Sequence, residues 1–111
     1  MSLDERHSLL RVFLPETALF DDRPAWRAVV EHLRLSGFTG ATAYRGSAGF
    51  TGNALATDRI EVLATGLPVV VEAVDLPEKV ERVLDDVRAI VPERGLVTVE
   101  RVEARTYRRT G

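Results

Sequence analysis

"LPVVVEAVD", residues 67–75, packs four valines into nine residues, with Pro68 near its start and Pro77 just beyond its end. This density of β-branched residues between turn signals predicts a strand. Side chains alternate between the two faces of a strand, so Val69 and Val71 share one side while Val70 and Val74 share the other. A strand apolar on both faces belongs inside a sheet rather than at its edge. Glu72 breaks the second face, and a carboxylate there requires a cationic or hydrogen-bonding partner.

On the C-terminal side, Pro77 suits a first helical turn. Val80, Val83, Leu84, Val87, Ile90 and Val91 then form an apolar stripe that Pro92 and Gly95 stop. A last strand follows in "LVTVERVEARTY" (96–107). Its alternation slips, because Val97 and Val99 share one parity and Val102 and Ala104 the other; a bulge or break near Glu100 and Arg101 is therefore expected. On the N-terminal side, "SLLRVFLP" (8–15) is a second strand apolar on both faces, with Leu10, Val12 and Leu14 alternating with Leu9 and Phe13. Arg11 on that strand is a candidate partner for Glu72, and the expected pair is structural rather than catalytic. Asp22 and Pro24 signal a helix start, Trp26, Val29, Val30 and Leu33 recur on one helical face, and Gly37 ends the helix. "ATAYRG" (41–46) supplies one more strand.

The resulting order, β-α-β-β-α-β, predicts an α+β, ferredoxin-like fold: a four-stranded antiparallel sheet, first and third strands central, with two helices on one face. A single domain over 1–111 with a core at about 8–107 is the expectation for 111 residues, of which 45% are hydrophobic and 29% charged. Two helices cover one face of such a sheet. The other would leave a contiguous apolar patch in water, which monomers rarely carry beyond a few hundred Å². A second copy of the chain is the economical cover; the alternative is that the tail of the last strand folds back over it.

A net charge of −2 offers no field for recruiting nucleic acid or an anionic membrane. With no cysteine there is no disulfide or thiolate site, which permits a reducing, cytoplasmic setting. Residues 1–7 lack the basic-then-apolar layout of a signal peptide, and no apolar run approaches the ~20 residues of a membrane-spanning helix. His7 and His32 are far apart in sequence, so no metal site is expected. The pairs Asp21-Asp22 and Asp85-Asp86 read as capping and solvation. No nucleophile has an identifiable base, and the chain is not expected to be an enzyme.

The stretch "YRGSAGFTGNALATD" (44–58) places Gly46, Gly49 and Gly52 three residues apart. Such glycines permit close backbone approach and an anion-binding nest. Arg45 would add a charged fork for phosphate or carboxylate. Tyr44 or Phe50 would stack on a base, and Ser47 would donate a hydrogen bond to an anion. The alternative is a long turn in which glycine only relieves strain.

"TAYRGSAGFTG", "GLPVVVEAVD" and "GLVTVERVEARTY" together resemble the domain of unknown function 190 family (DUF190), a branch of the PII-like group, over roughly residues 8–107. The resemblance implies a homotrimer with sheets facing inward. It also implies a small anionic effector, such as an adenine nucleotide, in clefts between subunits, and a loop at about 46–58 presented to a membrane transporter or enzyme. In the same light Gly95 and Leu96 form a second arm of the cleft. Arg101, Arg105 and Arg108 would bring charge to it from a neighbouring subunit, or else form a solvated basic end. No cofactor is implied. The other reading is a structural or ion-tolerance trimer of the same fold without a nucleotide site. "TGNALATD" departs from many relatives, which carry a histidine and basic residues there.

Overall fold

The structure is a computed structural model describing residues 2–50, 67–92 and 94–107. Its elements are β1 (Ser2–Pro15), β2 (Leu19–Phe20), β3 (Arg23–Pro24), α1 (Ala25–Leu35), β4 (Thr42–Arg45), β5 (Pro68–Asp75), α2 (Pro77–Ile90) and β6 (Leu96–Tyr107). The main sheet runs β4-β5-β1-β6 with every pair antiparallel. The two strands apolar on both faces, β1 and β5, are the inner ones, and the fold is the expected α+β, ferredoxin-like one.

Leu10, Val12 and Leu14 of β1 and Val69, Val71 and Ala73 of β5 meet Ala25, Val29 and Leu33 of α1 and Val80, Val83 and Val87 of α2. Each such side chain contributes about 1.5–3 kcal/mol relative to exposure. Trp26, Val30, Leu84, Ile90 and Val91, also on the expected helical stripes, pack at the margin of this core.

The helix termini are closed by backbone. Gly37 adopts φ +85°, its N–H donates to Arg34 C=O at 3.2 Å, and Phe38 N–H donates to Leu33 C=O at 3.1 Å. This Schellman arrangement satisfies two late carbonyls of α1 and turns Phe38 into the core. At the other end of α1, Asp22 is not the helix start that its position suggests. Asp21 and Asp22 have φ 50° and 63° and make the two-residue turn of a small β2–β3 hairpin, where both positions require left-handed backbone. Ala25 N–H then donates to Ala18 C=O at 2.8 Å, so the hairpin satisfies a donor that a cap side chain would otherwise take.

Two further differences concern β1 and β6. β1 begins at Ser2 rather than at residue 8, and the expected bulge near Glu100 and Arg101 is absent. The pairing of β1 with β6 runs unbroken from Ser2↔Tyr107 to Phe13↔Leu96. β5 stops pairing at Ser8↔Asp75, so the remainder of β1 and β6 continues as a two-stranded ribbon. Polar residues suffice there because the backbone makes the ladder. Val97 and Val99 lie on the helix side, while Val102 and Ala104 fall, by strict alternation, on the opposite face. The parity change falls where β5 stops pairing, beyond which the helix-side positions of the ribbon, Arg101, Glu103 and Arg105, are exposed and need not be apolar.

Asp75 locks the two helices to the sheet at this end. It is 4% exposed. Its Oδ2 accepts from Thr39 N–H at 2.9 Å and Thr39 Oγ1 at 3.2 Å, and its Oδ1 accepts from Leu76 N–H at 2.8 Å. Lys79 Nζ lies 3.5 Å from Oδ1 and donates to Gly37 C=O at 2.9 Å. Burial raises the pKa of Asp75, but the hydrogen bonds from Thr39 and Leu76 and the charge of Lys79 outweigh it, so the carboxyl sits below its ordinary value. No helix among the described residues is long and apolar enough to cross a membrane.

A group whose folded pKa is depressed contributes stability that is complete above its unfolded pKa, near 3.9, and is lost as pH falls through the folded value. Asp75→Asn is expected to cost about 1–3 kcal/mol at pH 7, because an amide group replaces one acceptor facing backbone N–H donors. Denaturant titrations should show the difference between the two proteins shrinking as pH falls below about 4. A constant difference from pH 7 to pH 3 would refute the assignment.

Candidate functional site

The sheet face away from the helices is organised in rows across the strands. Arg11 lies opposite Glu72 on one side and Thr98 on the other, and Thr42 is opposite Glu72, so Thr42, Glu72, Arg11 and Thr98 form one polar row. The next row, Tyr44, Val70, Phe13 and Leu96, is apolar apart from the tyrosine hydroxyl. On the other side lie Val74, Leu9 and Glu100. Tyr44, Val74 and Leu96 are 45%, 40% and 56% exposed. The open face is therefore apolar with a polar belt, in which Thr42 and Thr98 extend the break that Glu72 and Arg11 make in β5 and β1.

The expected Arg11–Glu72 pair forms within this belt: Arg11 Nε donates to Glu72 Oε2 at 2.9 Å. Arg11 Nη1 also reaches Glu100 Oε1 at 3.2 Å. Tyr44 OH donates to the same Glu72 oxygen at 3.1 Å, a contact not legible in the sequence because it depends on the register of β4 against β5, which sets Tyr44 diagonal to Glu72. The Arg11 hydrogen bond is the largest influence on Glu72 and, with that of Tyr44, holds its carboxyl below the usual range against desolvation. Tyr44 shifts the other way. Desolvation first, and then the hydrogen bond and charge of Glu72, raise its phenol pKa, since ionisation would set a phenolate against a carboxylate.

Arg45 follows Tyr44 in β4 and so points to the opposite, helix-side face. There Arg45 Nη2 is paired with Glu16 Oε1, which the sequence reading did not single out. Trp26, Ala43, Tyr44 and Val69 complete a small cleft around the pair. Gly46 N–H donates to Pro68 C=O at 2.8 Å, so this amide closes the sheet rather than joining an anion nest. Gly49 has φ +139° and packs near the Pro68 ring. Ser47 and Phe50 are exposed, Phe50 at 70%. Gly52 and the rest of the 51–66 stretch lie outside the described residues.

Gly95 and Leu96 sit at the same end of the sheet as Arg45, because Arg45 pairs with Val69, Val69 with Leu14, and Leu96 with Phe13. They occupy the other edge, however. Three strand spacings separate β4 from β6, about 14 Å. Gly95 and Leu96 line a cleft of about 550 Å³ with Leu84, Arg88, Val91 and Val99. A Cβ on Gly95 would lie 2.2 Å from Val91 Cγ1 and 3.1 Å from Phe13 O, which is why this turn needs glycine. Arg101 is opposite Ser8, about 17 Å further along β6 from Leu96, and the structure does not bring it to this cleft within one chain. Arg105 lies further out on the ribbon, opposite Asp4, and Arg108 is outside the described residues. His32 packs between the helices with Nε2 3.2 Å from Asp86 Oδ2.

This arrangement of strands and helices is similar to that of a solved PII-like protein. The apo form of CPII from Thiomonas intermedia K12, a nitrogen regulatory PII-like protein, matches with a TM-score of 0.66 over 96% of this chain and 100% of that one, at 14% identity. The chain belongs to the DUF190 family, described as "Uncharacterized ACR", which it matches over residues 7–104. A UPF0166 protein of Aquifex aeolicus (strain VF5) is 33% identical over 99 residues, 88% of this chain and 92% of that protein. Another from Methanocaldococcus jannaschii is 30% identical over 91 residues, 82% and 84% of the two chains.

In a Tyr107→Phe background, where Tyr44 is the remaining tyrosine, phenol ionisation followed by ultraviolet absorbance should occur above the ordinary value of about 10. Glu72→Gln should lower that midpoint by removing the carboxylate's charge. A midpoint unmoved by Glu72→Gln would mean that Tyr44 and Glu72 do not interact in solution.

Proposed function

We propose that the protein is a trimeric, PII-like regulatory module working in the cytoplasm, not an enzyme. It binds a small anionic effector, an adenine nucleotide being the first candidate, in clefts between subunits and presents the 46–58 loop to a partner such as a membrane transporter or enzyme. One observation carries this reading. Tyr44 to Phe50 and the Gly95–Leu96 turn lie at the same end of the sheet but on opposite edges, about 14 Å apart. Neither arm is a complete site. A second copy placed edge to edge would bring one chain's β4 end against another's β6 start, so a shared cleft needs assembly. Arg45 then supplies the charged fork, with Gly46, Ser47 and Gly49 beside it, Phe50 as an aromatic surface, and Gly95 and Leu96 as the facing arm, while Tyr44, whose side chain lies on the open face with Glu72, offers its ring to a neighbouring copy. Arg101 and Arg108 would have to enter from a different subunit. The apolar rows of the open face, with Val102 and Ala104 continuing them onto the ribbon, are the surface for burial among copies.

The second reading, a structural or ion-tolerance trimer without a nucleotide site, is favoured by the Arg45–Glu16 pair, in which the proposed anion ligand already has an anion.

Light scattering at micromolar concentration should report about three times the 12.3 kDa chain mass; a monomer would sink the shared cleft. Adenine nucleotides at a hundredfold excess over Kd should raise stability by about 2.7 kcal/mol, visible as a rise in melting temperature. Arg45→Ala should abolish that rise while changing the stability of the unliganded protein by no more than about 0.5 kcal/mol, as for other surface sites. A full shift in the variant would remove Arg45 from the site, and no shift with any nucleotide in the wild type would favour the structural reading.

A further inference from the structure

Glu16 is delivered to Arg45 by fixed backbone. Its N–H donates to Leu67 C=O at 3.0 Å, and Pro15 before it is the last residue of β1, opposite Pro68 of β5. Arg45 is the last residue of β4, and the next amide, Gly46, is tied to Pro68. The pair therefore joins two strand ends held independently, beside the indole of Trp26 in a cleft of about 140 Å³. The space admits a few waters, at about 30 Å³ each. It is also open: the Arg45 side chain is 60% exposed and that of Glu16 29%. An exposed pair of this kind is weak and exchangeable.

We propose that Glu16 is an internal competitor for the effector: its carboxylate occupies the position on Arg45 that a phosphoryl oxygen of the ligand takes, and binding proceeds by exchanging one anion for the other. This deepens the reading of Arg45 as the anion ligand and rests on it. The exchange sets a threshold that any ligand must exceed. A tethered carboxylate is present at millimolar or higher effective concentration. A free carboxylate brings the same single charge and the same two oxygens, so it gains nothing by replacing Glu16. A terminal phosphoryl group brings nearly two charges at pH 7 and three acceptor oxygens. Glu16 weakens every competing anion by the same factor, so a phosphoryl group, which starts from a stronger interaction with Arg45, keeps a measurable affinity where an acetate-like ligand falls below detection.

The test uses the full chain, with sodium pyrophosphate and sodium acetate as probes, calorimetry for affinity and the fluorescence of Trp26, the chain's single tryptophan, as a local reporter. Glu16→Gln is expected to bind pyrophosphate about three- to five-fold more tightly, the scale of an exposed ion pair, and to gain a response to acetate that the wild type lacks. Glu81→Gln makes the same charge change at an exposed site on α2 and is expected to alter neither. In an Arg45→Ala background, Glu16→Gln should bring no gain. Equal pyrophosphate affinity in the wild type and Glu16→Gln overturns the competitor role while leaving the Arg45 site standing, and so does an equal gain from Glu81→Gln. Weaker binding in Glu16→Gln also overturns it, making Glu16 a support that orients Arg45. If neither protein responds to pyrophosphate or to ATP, the Arg45 site fails, and the competitor with it.

Discussion

The structure depends on a mismatch between strands and helices. β1 and β5 are apolar on both faces, while α1 and α2 lie on one. Burial of Leu10, Val12, Leu14, Val69 and Val71 against the helices organises a single chain, but the same two strands carry Leu9, Phe13, Val70 and Val74 on the other side. A sheet so built is half satisfied. The apolar row from Tyr44 to Leu96 is open at its two ends, where Tyr44 and Leu96 are exposed, while Val70 within it is buried, and the polar belt of Thr42, Glu72, Arg11 and Thr98 runs beside it. Charged groups inside an apolar surface penalise any contact that leaves them unpaired, so Arg11, already held by Glu72 and Glu100, narrows the packings this face can accept.

Much of the fold was legible because its signals are local or nearly so. The valines of 69–74 announce a strand buried on both faces, the stripe from Val80 to Val91 announces α2, and Gly37 marks the end of α1. The Arg11–Glu72 pair was legible too, for a different reason: once β1 and β5 are neighbours, an arginine and a glutamate alone on apolar strands have few other partners. What escaped the sequence depends on pairing rather than on side-chain pattern. Nothing polar in residues 2–7 announces a strand, since the ladder there is made by backbone against β6. The parity change at Glu100 imitates a bulge, yet it marks where β5 ends and the helix-side positions of the ribbon become exposed. The Asp21-Asp22 turn looks like a helix cap because aspartate serves both purposes.

The residues proposed for the site do not lie as their order along the chain suggests. Tyr44 and Arg45, neighbours in sequence, were read as parts of one site, but strand geometry sends them to opposite faces. Gly46 was read for its freedom, and its amide is engaged with Pro68. Glu16 and Asp75 were missed because their roles arise from contacts across 29 and 36 residues of chain. Asp75 shows the physical cost of such a role: a carboxylate nearly excluded from water, stable as an anion because Thr39, Leu76 and Lys79 surround it. It ties the loop after α1 to the start of α2, and the shape of the helical layer at that end follows from one side chain.

The four residues of β4 have a further mechanical meaning. Because the strand is pleated, Arg45 and Tyr44 leave it on opposite sides one peptide unit apart, the guanidinium to Glu16 and the hydroxyl to Glu72. The strand is thereby pinned from above and below, and a shift of either side chain cannot occur without tilting the peptide plane that both share.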